Sequence, residues 1–240
     1  MWPFKSKSSF LSSGLLEGLT DWHSHILPGV DDGIESLDQS LELLAAFEKA
    51  GIKKIWLTPH IMEDIPNCTA SLKQRFETLR SEWKGKVELR LASENMLDSL
   101  FEERLTKGDL LPIGEDGKHL LTETSYYTPP LGLDEKLSSI QKIGYHVILA
   151  HPERYSYMDE KDYMDLKRRG ILFQLNLLSV IGGYGNVAEK KAKWLLKKGF
   201  VDYLGSDIHR LGHFNDFIDI NRLNTKTVKQ ISDVKVKFSR

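Results

Sequence analysis

Two short motifs carry the residue types that bind metal ions. Asp21-Trp22-His23-Ser24-His25 lies near one end of the chain and Ser206-Asp207-Ile208-His209 near the other. Side chains two apart on an extended strand point to the same face, so His23 and His25 can grip one ion, and Asp207 and His209 repeat the geometry. Asp32, His60, Glu94, Glu123 and His151 lie between them. Histidine and carboxylate donors without a thiolate suit zinc, manganese, iron or magnesium rather than a cysteine-type structural zinc site. The set is large enough for two or three divalent ions, and adjacent ions activate water and clamp both sides of an in-line phosphoryl displacement. Arg154 lies three residues beyond His151, and its planar fork fits the non-bridging oxygens of a phosphate. Metal donors with an arginine nearby point to phosphoester hydrolysis.

The elements that must position these residues are legible as alternation. Short apolar runs at 19–23, 54–59, 87–92, 119–123, 146–150, 172–176 and 201–205 read as buried strands. Amphipathic helical patterns follow most of them. Ser36 is placed to cap the first, Leu37, Leu41, Leu44 and Phe47 form its inner stripe, and Gly51 ends it. Further helices are predicted over 70–83, 95–107, 133–143, 160–169 and 187–198. Strand–helix alternation with short connections predicts a parallel sheet, and seven units predict a distorted (β/α)7 TIM-like barrel. The metal-type residues fall at or just past the C-terminal ends of successive strands, which share one rim in such a barrel.

Other candidates have plainer readings. Asp31 and Asp32 precede Gly33, ordinary turn chemistry, and Glu94 could be a first-turn acid opening a helix. Arg154 could pair with Glu153 or Asp159. His119 and His146 begin their strands and belong at the opposite end of the barrel, whereas His213 could line the rim. Gly182-Gly183-Tyr184-Gly185 lacks the strand–helix context of a phosphate loop, and a backbone needing positive φ explains it. Tyr126, Tyr127, Tyr155 and Tyr184 lie near strand ends, where an aromatic substrate could stack. A thiol mechanism fails: the position that a C-x5-R phosphate loop would reserve for arginine, counted from Cys68, is Gln74, and the segment from Cys68 reads as a helix start.

Composition narrows the classes. An apolar content of 40% supports a substantial core, and a formal net charge of −1 gives no broad attraction for nucleic acid or anionic membrane. A lone cysteine fits a reducing compartment, and no apolar stretch approaches the roughly 20 residues that span a bilayer. The chain therefore reads as soluble and cytoplasmic, with residues 1–18 an N-terminal leader and 19–240 one domain. Trp2, Phe4 and Phe10 make the leader a candidate docking arm, although packing against the domain is the simpler reading.

With these residues in hand, the chain resembles the polymerase-and-histidinol-phosphatase (PHP) superfamily, and within it the metal-dependent protein-tyrosine phosphatases of bacterial capsular and exopolysaccharide operons. The resemblance covers about residues 19–213. It rests on Asp21 to Gly33, Thr58-Pro59-His60, Glu94, Glu123, His151-Pro152-Glu153-Arg154 and Ser206-Asp207-Ile208-His209, in the family's order. It implies one metal position from His23, His25, Glu94 and Asp207, a second sharing Glu94 with Glu123 and His151, and a third from Asp32, His60 and His209. Manganese is the metal implied, Arg154 matches the phosphate-binding arginine, and Arg154, Asp207 and His209 are the residues assigned to the reaction. The substrate implied is a phosphotyrosine protein, a tyrosine autokinase that controls polysaccharide export. The segment 61–66 and Met96-Leu97 depart from the Gram-positive pattern and suit a Bacteroidetes-type branch. Rival readings are a small-molecule phosphatase with a deep pocket, a nuclease with a basic track, and a non-catalytic metal-stabilised regulatory module. The oligomeric state is not legible.

Overall fold

Nine strands and nine α-helices are found among the described residues of the computed structural model, which are residues 7–237. In chain order they are β1 (Thr20–Ser24), α1 (Leu37–Lys49), β2 (Lys54–Leu57), β3 (His60–Ile61), α2 (Thr69–Glu82), β4 (Glu88–Leu91), β5 (Glu94–Met96) and α3 (Ser99–Lys107). Then come β6 (His119–Glu123), α4 (Leu133–Lys142), β7 (His146–Ala150), α5 (Glu160–Arg168), β8 (Leu172–Asn176), α6 (Leu177–Val180), α7 (Gly185–Lys198), β9 (Tyr203–Gly205), α8 (Leu211–Ile218) and α9 (Thr225–Lys237).

All pairings between these strands are parallel, in a sheet of order β1-β2-β4 and another of order β3-β5-β6-β7-β8-β9. The strand predicted over 54–59 is observed as β2 over 54–57, and the two-residue β3 follows it past Thr58-Pro59, where Pro59 has no N–H to offer a ladder. Ala92-Ser93 separates β4 from β5, with no proline there, and Ala92 N–H still donates to Leu57 O across the joint. The run after β9 returns to β1: Asp207 N–H donates to His23 O at 2.8 Å and His25 N–H to Ile208 O at 3.0 Å. The parallel-strand α/β arrangement is therefore as expected, in more and shorter strands.

Local sequence explains the helix limits. Ser36 and Gln39 form a capping box at the start of α1, and Gly51 follows its end with φ +93°. The buried stripe of α1 is Ser40, Leu43, Leu44 and Phe47, with Leu37 and Leu41 only partly buried, a rotation from the stripe expected. The helix predicted over 95–107 begins at Ser99, where Asp98 caps it by accepting from Phe101 N–H at 2.9 Å. Glu94 thus opens β5, not a helix. The helices α8 and α9 were not anticipated.

The main core lies between sheet and helices and contains Phe47, Leu72, Leu79, Leu137, Ile140, Phe173 and Leu195. Phe10, Leu15 and Leu16 from the N-terminal segment join it, and Ser8 pairs antiparallel with Leu223. Trp2 and Phe4 lie outside the described residues. A second cluster, built from alternate strand residues, groups Trp56, Ala92, Leu121, Ile148, Ala150 and Tyr203 with Trp22. Burial of each such large side chain stabilises by about 1.5–3 kcal/mol. Among the described residues no helix is long and apolar enough to cross a membrane.

Candidate metal centre

Strand ends and one loop bring the candidate ligands to one place. His23 is on β1 and His25 just beyond it, His60 is on β3, Glu94 opens β5, Glu123 ends β6, His151 follows β7, and Asp207 and His209 follow β9. Asp32 comes from the loop between β1 and α1. A β-bulge between Asp21 and Ser24 inserts one residue into β1. Strict alternation is broken there, so that Trp22 stacks on Trp56 at 5.9 Å while the next residue, His23, still enters the polar cluster. Asp21, although part of the opening motif, is not in that cluster. Its carboxylate accepts from Ser206 N–H at 2.8 Å and Ser206 Oγ at 2.5 Å, tying β1 to the end of β9.

Four overlapping groups bring ligand atoms within 4.8 Å of one another: His25, Asp32, His60 and His209; His23, His25 and Asp207; His23, Glu94 and His151; His60, Glu94 and Glu123. Glu94 Oε2 lies 3.0 Å from His23 Nε2, 3.3 Å from His25 Nε2 and 3.2 Å from His60 Nδ1, while its Oε1 lies 3.0 Å from His151 Nε2. Glu123 is nearer His60, at 2.9 Å, than His151, at 4.0 Å. Asp32 reaches His60 and His209 at 3.5 and 3.4 Å and is the exposed member of the set.

Neighbouring hydrogen bonds fix which histidine nitrogens are bare. Gln174 Oε1 must accept, because His151 N–H donates to it at 3.2 Å, so His23 Nδ1 donates to it at 2.9 Å. Asp31 Oδ2 accepts from His60 N–H at 3.0 Å and from His25 Nδ1 at 2.8 Å. As neutral imidazoles both therefore present lone pairs at Nε2, and these atoms face each other at 3.0 Å beside Glu94 and Asp207. Acceptor facing acceptor is repulsive unless a cation lies among them. His60 Nδ1 and Glu123 Oε1, 2.9 Å apart, are both buried and make no hydrogen bond of good geometry. The residues present fit divalent metal ions.

Electrostatics agrees. Burial alone would depress the pKa of His23, but Glu94 and Asp207 overcome it and push it up to about 9. Burial acts to raise the pKa values of Glu94 and Asp207, yet the surrounding histidines hold both well below the usual carboxylate range. The site demands positive charge, which protons supply when metal does not. His151 (φ 32°) and Asp207 (φ 53°) are the only non-glycine residues with positive φ among those described. Such backbone strain concentrates at functional sites.

Asp31, Gln174 and Asn176 are the positioning residues that sequence reasoning missed. Gln174 Nε2 donates to Asn176 Oδ1 at 2.9 Å, and Asn176 Nδ2 donates to Asp207 Oδ2 at 2.6 Å. The signal for Gln174 and Asn176 was two amides at alternate positions of an otherwise apolar strand, 172–176.

The cluster opens into a cleft of about 640 Å³ whose lining includes Arg154, Tyr126, Tyr184, His213, Leu178 and Phe217. Arg154 pairs with Asp207, Nη1 to Oδ2 at 2.7 Å, and not with Glu153 or Asp159. Glu153 is buried and accepts instead from Asn176 N–H and Ser179 Oγ. Of the four tyrosines considered, Tyr126 and Tyr184 line the cleft, Tyr155 is in the core and Tyr127 is exposed. His119 and His146 pair in register at the starts of β6 and β7, away from the cluster. Cys68 is the residue before α2, as its sequence suggested.

Comparison with known proteins adds the lineage. The family model described as capsular polysaccharide synthesis, CpsB/CapC, matches residues 19–226. Tyrosine-protein phosphatase CpsB of Streptococcus pneumoniae is 29% identical over 206 residues, covering 80% of this chain and 84% of its own. Tyrosine-protein phosphatase YwqE of Bacillus subtilis is 27% identical over 199 residues, covering 80% and 78%. A chain from the crystal structures of YwqE of B. subtilis and CpsB of S. pneumoniae, metal-dependent tyrosine phosphatases, shares the fold with a TM-score of 0.76 at 23% identity, over 91% of this chain and 88% of that one. With the model spanning most of its length, this chain belongs to the CpsB/CapC family of capsular polysaccharide synthesis.

Proposed function

We infer that this chain is a metal-dependent phosphomonoester hydrolase acting on phosphotyrosine in a protein. The observation that carries the reading is the convergence of bare histidine nitrogens and carboxylates beside Arg154 in an open cleft. We assign His23, His25, Asp32, His60, Glu94, Glu123, His151, Asp207 and His209 to two or three divalent ions, manganese first, with iron, zinc or magnesium as alternatives. When bound, such ions supply Lewis-acid activation of water and neutralise charge on a phosphoryl group.

The chain's own residues do the rest. Arg154 keeps Nη1 on Asp207, and its other guanidinium N–H groups have no hydrogen-bond partner among the described residues. That free edge can take non-bridging phosphate oxygens while the side chain stays anchored. Asp207 holds Arg154 with one oxygen and faces His23 and His25 with the other. His209, a quarter exposed or less, stands beside Asp32 at the cleft mouth. A phenolate leaving group, with a pKa of about 10, needs less proton assistance than an alkoxide.

Tyrosine autokinases of polysaccharide export, in a cytoplasmic setting, are the partners this reading favours. We also read the strands as seven βα units, a distorted (β/α)7 barrel, and residues 1–18 as a leader, of which Phe10, Leu15 and Leu16 pack into the core. The open cleft favours a protein-borne phosphate over a small enclosed substrate. Initial rates of the metal-loaded protein on a phosphotyrosine peptide, a phosphoserine peptide and histidinol phosphate test the assignment. The phosphotyrosine peptide is expected to be turned over best. Preference for histidinol phosphate would overturn the protein substrate and leave the metal site standing.

A further inference from the structure

The stretch Gly182-Gly183-Tyr184-Gly185 is a motif to which phosphate chemistry has so far given no role. It joins α6 to α7 on the rim that carries the metal-type residues. Its backbone is closely held: Gly182 N–H donates to Ser179 O at 3.1 Å, Gly183 N–H to Leu178 O at 3.0 Å and Gly185 N–H to Gly182 O at 3.0 Å. Gly182 and Gly185 adopt φ of +86° and +87°, and a Cβ on Gly183 would lie 2.2 Å from Leu178 Cγ. Glycine is therefore required at Gly183 by close approach and at its neighbours by backbone conformation. A loop built under these constraints presents one large side chain, Tyr184, and that side chain lines the cleft.

Tyr184 meets both halves of the site. The Arg154 guanidinium carbon lies 4.1 Å from the centre of its ring and 4.3 Å from that of Tyr126. Its hydroxyl donates to Asp207 Oδ2 at 3.3 Å, the oxygen that also accepts from Arg154 Nη1 at 2.7 Å. A guanidinium against an aromatic face is attracted by the ring's electron density, more strongly when shielded from water. An arginine loose in the cleft would have to give up rotamer freedom each time an anion bound, whereas one already stacked gave it up on folding.

We propose that Tyr184 is a positioning residue for Arg154: its ring holds the guanidinium in one orientation, Nη1 on Asp207 and the remaining N–H edge toward the cleft, so that phosphate meets a preformed receptor. The proposal rests on the reading of Arg154 as the phosphate-binding group. The ring does this work, and the hydroxyl supports it through Asp207.

The test compares metal-loaded wild type with Y184M, Y184F, R154A and R154A/Y184M. It measures kcat and KM on a phosphotyrosine peptide, competitive inhibition by inorganic phosphate, and bound metal. Y184M, which fills space without an aromatic face, is expected to raise KM and the phosphate inhibition constant about tenfold, with kcat down by no more than about threefold and bound metal equal to wild type. Y184F, which restores the ring, is expected to recover most of that affinity. In the R154A background the Y184M change is expected to add nothing further. The same penalty in the presence and absence of Arg154 would overturn the proposal, as would an unchanged inhibition constant or loss of metal in Y184M. If Y184M does not fold, Y184F decides, and a tenfold loss of phosphate affinity there rejects the role of the ring. R154A with unaltered phosphate inhibition would refute Arg154 as the receptor, a separate result that removes the basis for Tyr184 as well.

Discussion

At the scale of single residues, Asp207 and Gln174 hold the centre together. Asp207 accepts from Arg154, Asn176 and Tyr184 on one oxygen and turns the other to the histidines. Removing the arginine leaves Asp207 two partners, so R154A is expected to keep its metal. It loses charge-assisted hydrogen bonding to phosphate of about 1.5–3 kcal/mol in total, lowering kcat/KM by roughly 10- to 100-fold. Steady-state kinetics beside metal analysis checks this, and a full loss of metal would show that Arg154 is structural. Gln174 orients His23 through Nδ1 and receives the His151 N–H. Gln174→Leu is expected to weaken metal affinity by about 10- to 100-fold, measured by competition with a chelator. The candidate ligands were legible in the sequence because a histidine or carboxylate at the end of an apolar strand has few other reasons to be there. Gln174 and Asn176 were not, because they bind the ligands and not an ion, and a buried amide has many unremarkable explanations.

At the scale of elements, the close seam between β9 and β1 sets the geometry. Gly205 ends β9, and a Cβ there would lie 2.5 Å from His23 Cβ and 2.6 Å from Gln174 Nε2. Gly205→Ala is expected to cost about 1–3 kcal/mol in stability through overpacking and to lower metal occupancy, read by thermal melts and metal analysis. An unchanged melting temperature and full occupancy would mean that the seam can yield. Strands β6, β7 and β8 were readable to the residue because each carries a short apolar core, Leu120-Leu121, Val147-Ile148-Leu149 or Leu172-Phe173, with a polar residue at or just past its C-terminal end. The strands expected over 54–59 and 87–92 end just before β3 and β5, which open with His60 and Glu94 and are too short to carry an apolar run that would announce them. The helices α8 and α9 carry apolar residues at helical spacing, Leu211, Phe214 and Phe217, then Val228, Ile231 and Val234. Among the described residues no strand follows either, so strand–helix alternation gives them no place.

At the scale of the whole molecule, a near-neutral chain concentrates buried charge in one cluster and depends on cations to balance it. With His23 raised from 6.5 to about 9 in the folded state, its protonation contributes stability that is complete below pH 6.5 and lost as pH rises through about 9. Chelator-treated protein is therefore expected to melt at progressively lower temperature across that window. Saturating manganese should flatten or reverse the trend, because ligation needs the deprotonated imidazoles. A melting temperature of the chelated protein that rises over the same range would contradict this. The same dependence joins the fold, the metal and the reaction into one claim, which the double variant His23→Ala/His25→Ala tests most directly. Bound metal and turnover of a phosphotyrosine peptide are measured together. Metal content is expected to drop and turnover to fall to background. Turnover retained by a metal-free double variant would contradict it.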